Sequence, residues 1–177
     1  MMIALGLLIL RLVLGLIFMG HGSQKLFGAF GGHGLVGTRQ IMENLGLRPT
    51  TFWATIAALG EFVGGLLLVL GLFMPLGALI VIGVMLTAIA KVHWRKGFWN
   101  SQGGYEFNLA LTAMAVAPGF MGAGAWSLDA VFGFSAPEPL TFLIGLLVLV
   151  VLLLVTIPLA AAAEHRSGSL LHRPGHP

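Results

Sequence analysis

Cysteine is absent from the 177-residue sequence. Its absence excludes disulfide bonds, thiolate nucleophiles and iron–sulfur ligation within the chain. Charge is also scarce, because only 8% of the residues are Asp, Glu, Lys or Arg, against about 25% in a typical soluble domain. Hydrophobic residues make up 58% of the chain, so the composition predicts an integral membrane protein.

The few charges are mostly basic, and a net charge of +3 could indicate nucleic-acid binding. They fall, however, in loops between apolar stretches, where they are typical topology signals. We therefore expect a lipid bilayer as the surroundings and no nucleic-acid partner. The first apolar stretch lacks a basic leader and a small-residue cleavage site, so we do not expect a removable signal peptide.

Five apolar stretches are predicted to cross a hydrocarbon core of roughly 30 Å as α-helices. They are residues 3–20, 52–72, 75–92, 105–118 and 141–163. With five spans, every Lys and Arg except Arg11 lies on one side of the membrane. The positive-inside bias then predicts an outside N-terminus and a cytoplasmic C-terminus. A shorter segment, 38–45, has apolar residues on one side and is predicted to be an interfacial helix.

The second span carries one carboxylate, Glu61, close to its middle. An ionisable side chain at that depth costs on the order of 3 kcal/mol and needs a partner. Small residues share its helix face, which predicts a tight protein interior around it. Arg11 in the first span offers the opposite charge at a depth that agrees within roughly one helical turn. We therefore predict that Arg11 pairs with Glu61.

This pair has two interpretations. It could be a structural clamp that sets the packing of two helices, or it could line a polar pocket for a ligand or a proton. Because desolvation offsets the attraction within a buried ion pair, such a pair is weak evidence for stability alone. The functional interpretation is therefore slightly favoured.

A cluster of six polar or ionisable side chains is predicted at the cytoplasmic end of the helices. The six are His21, Lys25, Lys91, His93, Glu106 and Asn108. Together they could bind an anion or a quinone carbonyl, with His21 or Glu106 handling protons. The alternative is a set of cations that extend to the interface and an ordinary capping carboxylate. The histidines lack metal-ligand spacing, so no metal or haem is expected.

Several short motifs occur in a specific order. They are Arg11 with Leu14-Gly15, His21-Gly22 with Lys25-Leu26, Glu61 with Gly64-Gly65, Leu70-Gly71, Gly103-Gly104-Tyr105-Glu106, and Gly122, Gly124 and Ser127-Leu128-Asp129. In order and spacing they resemble the DoxX family of small bacterial membrane proteins over residues 9–133. The resemblance implies an all-α integral membrane protein with a four-helix transmembrane bundle, here 1–139. A fifth C-terminal transmembrane helix, 140–163, and a cytoplasmic polar tail, 164–177, would follow.

The resemblance also implies a function, because family members are associated with quinone-linked oxidoreduction and include subunits of thiosulfate:quinone oxidoreductase. It implies a quinone-interacting membrane subunit of an oxidoreductase in the bacterial inner membrane, with other membrane or redox subunits as partners. The resemblance carries over Arg11, His21, Lys25, Glu61 and Glu106 as site or packing residues, without a catalytic constellation. On the quinone hypothesis, the quinone would bind near Arg11, His21, Lys25 and Glu61, and the catalytic candidates are His21, Glu61 and Glu106. Asp129 is carried over as a site or packing residue.

Other functions stay open at this stage. The chain could be a non-enzymatic accessory or scaffold subunit of a larger membrane complex, with the fifth span docked against a partner. Whether the chain has enzymatic activity is therefore undecided. A small-solute transporter is less favoured, because no second carboxylate lies within a span and no pair of broken helices is indicated.

Overall fold

The computed structural model describes the backbone of residues 1–171 and the side chains of residues 1–158. Seven α-helices make up most of this part of the chain. They are α1 Met2–Phe27, α2 Gly34–Asn44, α3 Thr50–Leu70, α4 Met74–Ala88, α5 Glu106–Met121, α6 Leu128–Phe132 and α7 Leu140–Leu171. No strand occurs within residues 1–171, so the all-α prediction is confirmed. α7 continues past 163, where the sequence predicts the start of a polar tail, and residues 172–177 of that tail lie outside the described backbone.

Four helices form a closed ring. α1 packs against α3, α3 against α4 and α4 against α5, and α5 returns to α1. α2 lies across α1 and α3, while α7 packs on the outside of α4. We call the end of the bundle that holds Lys25 and Lys91 the basic end, and the opposite end, with Asp129 and Glu138, the acidic end.

Four helices are long and apolar enough to cross a membrane, which makes the chain a multi-pass membrane protein. They are Met2–Phe27, Thr50–Leu70, Met74–Lys96 and Leu140–Pro158. α5 contains 16 residues and is therefore about 24 Å long. The predicted span 105–118 corresponds to α5, which is shorter than a helix that crosses the membrane needs to be. Length and composition therefore support four spans within the described part of the chain, not five.

Glycines bring α1 and α3 into backbone contact. A Cβ atom at Gly15 would lie 2.6 Å from the carbonyl oxygen of Gly65, and one at Gly22 would lie 2.5 Å from the backbone nitrogen of Phe62. Only glycine fits such approaches, which are common between helices in membranes. Glu61 is buried on the same side of α3 as Gly65, so the prediction that this face points into the protein is confirmed.

α1 is longer than the sequence analysis predicts. The predicted span ends at residue 20, whereas the helix continues to Phe27. It ends where Gly28 adopts a left-handed backbone conformation with φ of 73°, and the N–H of Gly28 donates to the carbonyl of Ser23. A glycine in this conformation is the usual way to close a helix. The extra two turns decide which α1 side chains can reach the middle of α3.

A folded loop closes the acidic end. The carboxylate of Asp129 accepts hydrogen bonds from the backbone N–H groups of Phe73 and Met74, at 2.8 and 3.0 Å. It thereby caps the start of α4, where negative charge is favourable. Ser127 accepts from the N–H of Ala130 at 3.1 Å and thereby caps the short helix α6. Asp129 therefore acts in packing and capping.

Candidate functional site

Glu61 forms an ion pair within the bundle. Lys25, near the end of α1, donates from Nζ to Oε1 of Glu61. The Glu61 residue is only 3% exposed. Its second oxygen, Oε2, is buried and has no hydrogen-bond partner among the residues whose side chains are described. Because an unsatisfied buried acceptor costs about 1–3 kcal/mol, this oxygen is a position where a ligand donor would bind favourably.

The predicted pair between Arg11 and Glu61 is wrong. Arg11 is buried, but its Nη2 donates to the backbone carbonyl of Trp126. Its guanidinium packs against Gly71, just past the end of α3. Arg11 therefore joins α1 to the loop at the acidic end, and Glu61 takes its partner from the opposite end of α1.

The physical reason lies in where α1 and α3 touch. Gly22 of α1 lies against the backbone of Phe62, the residue next to Glu61. Arg11 is 11 residues from Gly22 and therefore about 16 Å further along α1, whereas Lys25 is only three residues from Gly22, about 5 Å. The extension of α1 past residue 20 therefore brings Lys25 to Glu61.

A cavity of about 440 Å³ lies beside this ion pair, between α2, α3, α4 and α7. Its walls are mostly aliphatic and include Met42 and Leu45 of α2, Ile56 of α3, Ile80 and Val84 of α4, and Leu149 and Leu153 of α7. The polar side chains in the wall are Lys25, Thr38, Glu61, Thr87, Lys91 and His93. An aliphatic cavity of this size with a few polar groups suits a small amphipathic molecule.

The basic end of the cavity is shaped by a change in helix type. After Ala88, α4 continues as a π-helix over Ile89–His93, and Lys91, Val92 and His93 all line the cavity. Short π-helical segments occur frequently at functional sites. His93 Nδ1 lies 2.7 Å from the carbonyl oxygen of Gly103. Since a carbonyl only accepts, Nδ1 carries the hydrogen, and Nε2 of the neutral ring is the acceptor.

The structure brings three of the six residues predicted at the cytoplasmic end to the cavity, namely Lys25, Lys91 and His93, together with Glu61 from the second span. It does not bring the others to the cavity. His21 is exposed on α1 and does not line it. The predicted convergence of all six side chains is therefore wrong, and the catalytic role of His21 stays a prediction.

Glu106 and Asn108 have other contacts. Glu106 Oε2 accepts from the backbone N–H of Asn100 at 2.9 Å, which holds the loop before α5. Asn108 Nδ2 donates to the sulfur of Met85 at 3.4 Å inside the bundle. Neither side chain lines the cavity, so Glu106 is not positioned there to exchange protons with a ligand.

Sequence reasoning missed the contributions of α2 and α7 to the wall. The apolar side of 38–45 was a usable signal, since Ile41, Met42 and Leu45 all line the cavity. No sequence pattern distinguishes Leu149 and Leu153 from their neighbours, because α7 is almost uniformly apolar. They line the cavity because of the way α7 packs on α4, where Leu149 lies against Gly83.

A second cavity, of about 430 Å³, lies at the acidic end and is lined partly by Asp129 and Glu138. Partial burial raises the pKa of the Glu138 carboxyl, and the charge of Asp129 raises it further. Both oxygens of Asp129 are engaged by backbone amides. Among the described residues, no group of three or more His, Cys, Asp or Glu could hold a metal ion.

Comparisons with known proteins agree with this architecture. A family model described as DoxX matches residues 6–94, a range that contains most of α1, all of α2 to α4 and all four ionisable residues of the cavity. The chain is 29% identical over 125 residues to "Putative oxidoreductase CatD" of Bacillus subtilis (strain 168), covering 71% of this chain and 85% of the relative. It is 28% identical over 130 residues to the uncharacterized membrane protein Rv3486 of Mycobacterium tuberculosis, covering 68% and 77%. No solved structure matches.

Proposed function

The chain belongs to the DoxX family, and we propose from this premise that it is a quinone-interacting membrane subunit of an oxidoreductase. The quinone head group would lie in the cavity beside Glu61. The name of the Bacillus subtilis relative supports the class of reaction. The observation that carries the proposal is the aliphatic cavity of about 440 Å³ with a buried, incompletely satisfied carboxylate in its wall.

The cavity residues fit both parts of such a molecule. Met42 and Leu45 on one side and Leu149 and Leu153 on the other offer an apolar surface to a ring and a hydrocarbon tail. Lys25 offers N–H groups to a ring oxygen. A bound quinone supplies the capacity to take up two electrons and two protons, and electrons would come from a substrate or a partner subunit.

Proton handling falls to different residues than the sequence analysis proposes. Glu61 and His93 line the cavity, whereas His21 and Glu106 do not. His93 presents Nε2 as a proton acceptor, because Nδ1 donates its hydrogen to the carbonyl of Gly103. We propose that Glu61 Oε2 receives or gives the proton deep in the cavity and that His93 exchanges protons at its basic end.

Filling the cavity tests the proposal. Gly60 lines it, and a Cβ there would first meet the movable side chain of Val84 at 3.0 Å. Gly60→Leu is therefore expected to fold and to place its side chain in the ligand volume. We expect near-stoichiometric quinone in the organic extract of natively purified wild-type protein, measured by mass spectrometry, and at least a tenfold loss in Gly60→Leu.

The matched control is Gly20→Leu, since a Cβ at Gly20 has no heavy atom within 4 Å. This variant should retain quinone at the wild-type level. Equal quinone in wild type and Gly60→Leu would place the ligand elsewhere on the protein. Absence of quinone from every sample would remove the proposed function.

A second candidate function is a non-enzymatic accessory or scaffold subunit, and one observation favours it. α7 packs on α4 along one side only, and apolar residues such as Leu147 and Leu154 are 66% and 70% exposed. A partner helix could bind this surface within the bilayer. Absence of quinone from the extract, together with a stoichiometric membrane protein in the purified sample, would favour this role.

We also propose that α5 completes a five-span topology in the bacterial inner membrane, with an outside N-terminus and a cytoplasmic C-terminus. The Lys and Arg residues of the loops lie at the basic end, which supports this orientation. A reporter fused after Pro177 should be active in the cytoplasm, and one inserted after Phe134 should be active outside. The reverse pattern would overturn the proposed topology, through either its orientation or the crossing of α5, and both signals on one side would mean that α7 does not cross.

A further inference from the structure

We propose that the cavity binds the reduced, hydroxyl-bearing form of its ligand, a quinol, more tightly than the quinone. The inference rests on the proposed function and adds the redox form that the site prefers. It follows from the hydrogen-bonding groups around Glu61, which favour a ligand atom that both donates and accepts.

The first argument concerns Oε2 of Glu61. An ionised carboxylate only accepts hydrogen bonds, and this oxygen has no donor among the described side chains. A quinone carbonyl also only accepts, so it would leave Oε2 unsatisfied and add repulsion between two oxygens. A quinol hydroxyl donates its hydrogen to Oε2 and removes the cost of burying that acceptor without a partner.

The second argument concerns Lys25. Its ammonium carries three N–H donors, of which one is directed to Oε1 of Glu61. About a third of the side chain, 31%, stays exposed, so a ligand can reach the remaining donors. A hydroxyl oxygen can accept from Lys25 while its hydrogen goes to Glu61. A carbonyl can make only the first of these bonds.

The other ionisable groups of the cavity lie too far along the helix to replace this contact. Gly60 faces Val84, which places Glu61 level with that part of α4. Lys91 and His93 are seven and nine residues further on, roughly 10–13 Å away along the axis. A single ring oxygen therefore meets the Lys25–Glu61 pair, and the basic end interacts with a different part of the ligand or with water.

The test compares both redox forms on the intact chain in lipid nanodiscs without oxygen. The probes are a short-tail benzoquinone and the benzoquinol with the same ring substituents, and the measurement is the Kd of each. We expect the quinol to bind about tenfold more tightly, which is the order of effect of satisfying one buried acceptor. Equal Kd values, or tighter binding of the quinone, would overturn the inference and leave the proposed function standing.

Binding of neither form would remove the proposed function and the inference together. Glu61→Gln provides a second test, because its amide can donate to a carbonyl, and the quinol preference should fall below about threefold. Glu43→Gln is the matched control, since Glu43 is exposed on α2 and does not line the cavity. It should keep the tenfold preference. If Glu61→Gln fails to fold, the ratio of the two wild-type Kd values decides.

Discussion

Lys25→Met is expected to lower the free energy of unfolding by about 3 kcal/mol, the low end of the range for breaking a buried ion pair. The substitution leaves the Glu61 carboxylate buried with neither oxygen satisfied. Partial exposure of Lys25 places the effect at the low end, because water already screens part of the interaction. The measurement is the thermal unfolding midpoint in mild detergent, which should fall by about 6–12 °C.

A double variant separates charge from packing. Lys25→Met combined with Glu61→Leu removes both charges and should recover most of the lost stability, because apolar residues often replace buried ion pairs at little cost. Lys96→Met removes an exposed charge at the same end of the bundle and should change stability by less than about 0.5 kcal/mol. A double variant as unstable as Lys25→Met would mean that Lys25 stabilises by some route other than its pairing with Glu61.

Gly15→Ala is expected to have a comparable effect, a loss of about 3 kcal/mol at the crossing of α1 and α3. The added Cβ would lie 2.6 Å from the carbonyl oxygen of Gly65 and 2.9 Å from the backbone nitrogen of Val69. Backbone atoms of a helix cannot rotate away as a side chain can. The two helices would therefore have to separate along the interface that also positions Lys25 and Glu61.

The control lies on the same helix. Gly20→Ala meets no heavy atom within 4 Å and should raise the free energy of unfolding by up to about 1 kcal/mol through the better helix propensity of alanine. Thermal unfolding of both variants in one detergent provides the comparison. Similar midpoints for Gly15→Ala and Gly20→Ala would show that α1 and α3 do not pack closely in solution.

Much of the architecture follows from local patterns. Long apolar stretches predict helices because an isolated backbone in lipid must satisfy its own hydrogen bonds. Each of the five predicted stretches coincides with a helix, although α1 and α7 extend further than predicted. The small residues around Glu61 predict a buried face for the same local reason, since side chains four apart share one side of a helix. The resemblance to the DoxX family, predicted for residues 9–133, is confirmed by a family match that covers residues 6–94.

The partner of Glu61 could not be obtained in this way. Glycine-rich stretches begin at Gly20, but α1 ends only at Gly28, where the backbone adopts the left-handed conformation. Glycine permits a helix to end without requiring it, so the sequence leaves the end uncertain by two turns. The depth comparison also treated the ends of the two helices as level, whereas Gly22 lies against Phe62 and the start of α3 extends beyond the end of α1. Together these two errors make Arg11, rather than Lys25, the predicted partner.

The sequence by itself determined that this protein is helical, membrane-embedded and carries a buried carboxylate in its second span. The reason is that hydrophobic periodicity and charge position are properties of each segment alone. Only the tertiary structure decided the cavity, whose walls combine α2 and α7 with α3 and α4, and the capping role of Asp129 on a helix 55 residues earlier. These features depend on how helices pack side by side, and the energies that select one neighbour over another arise between segments distant in the chain.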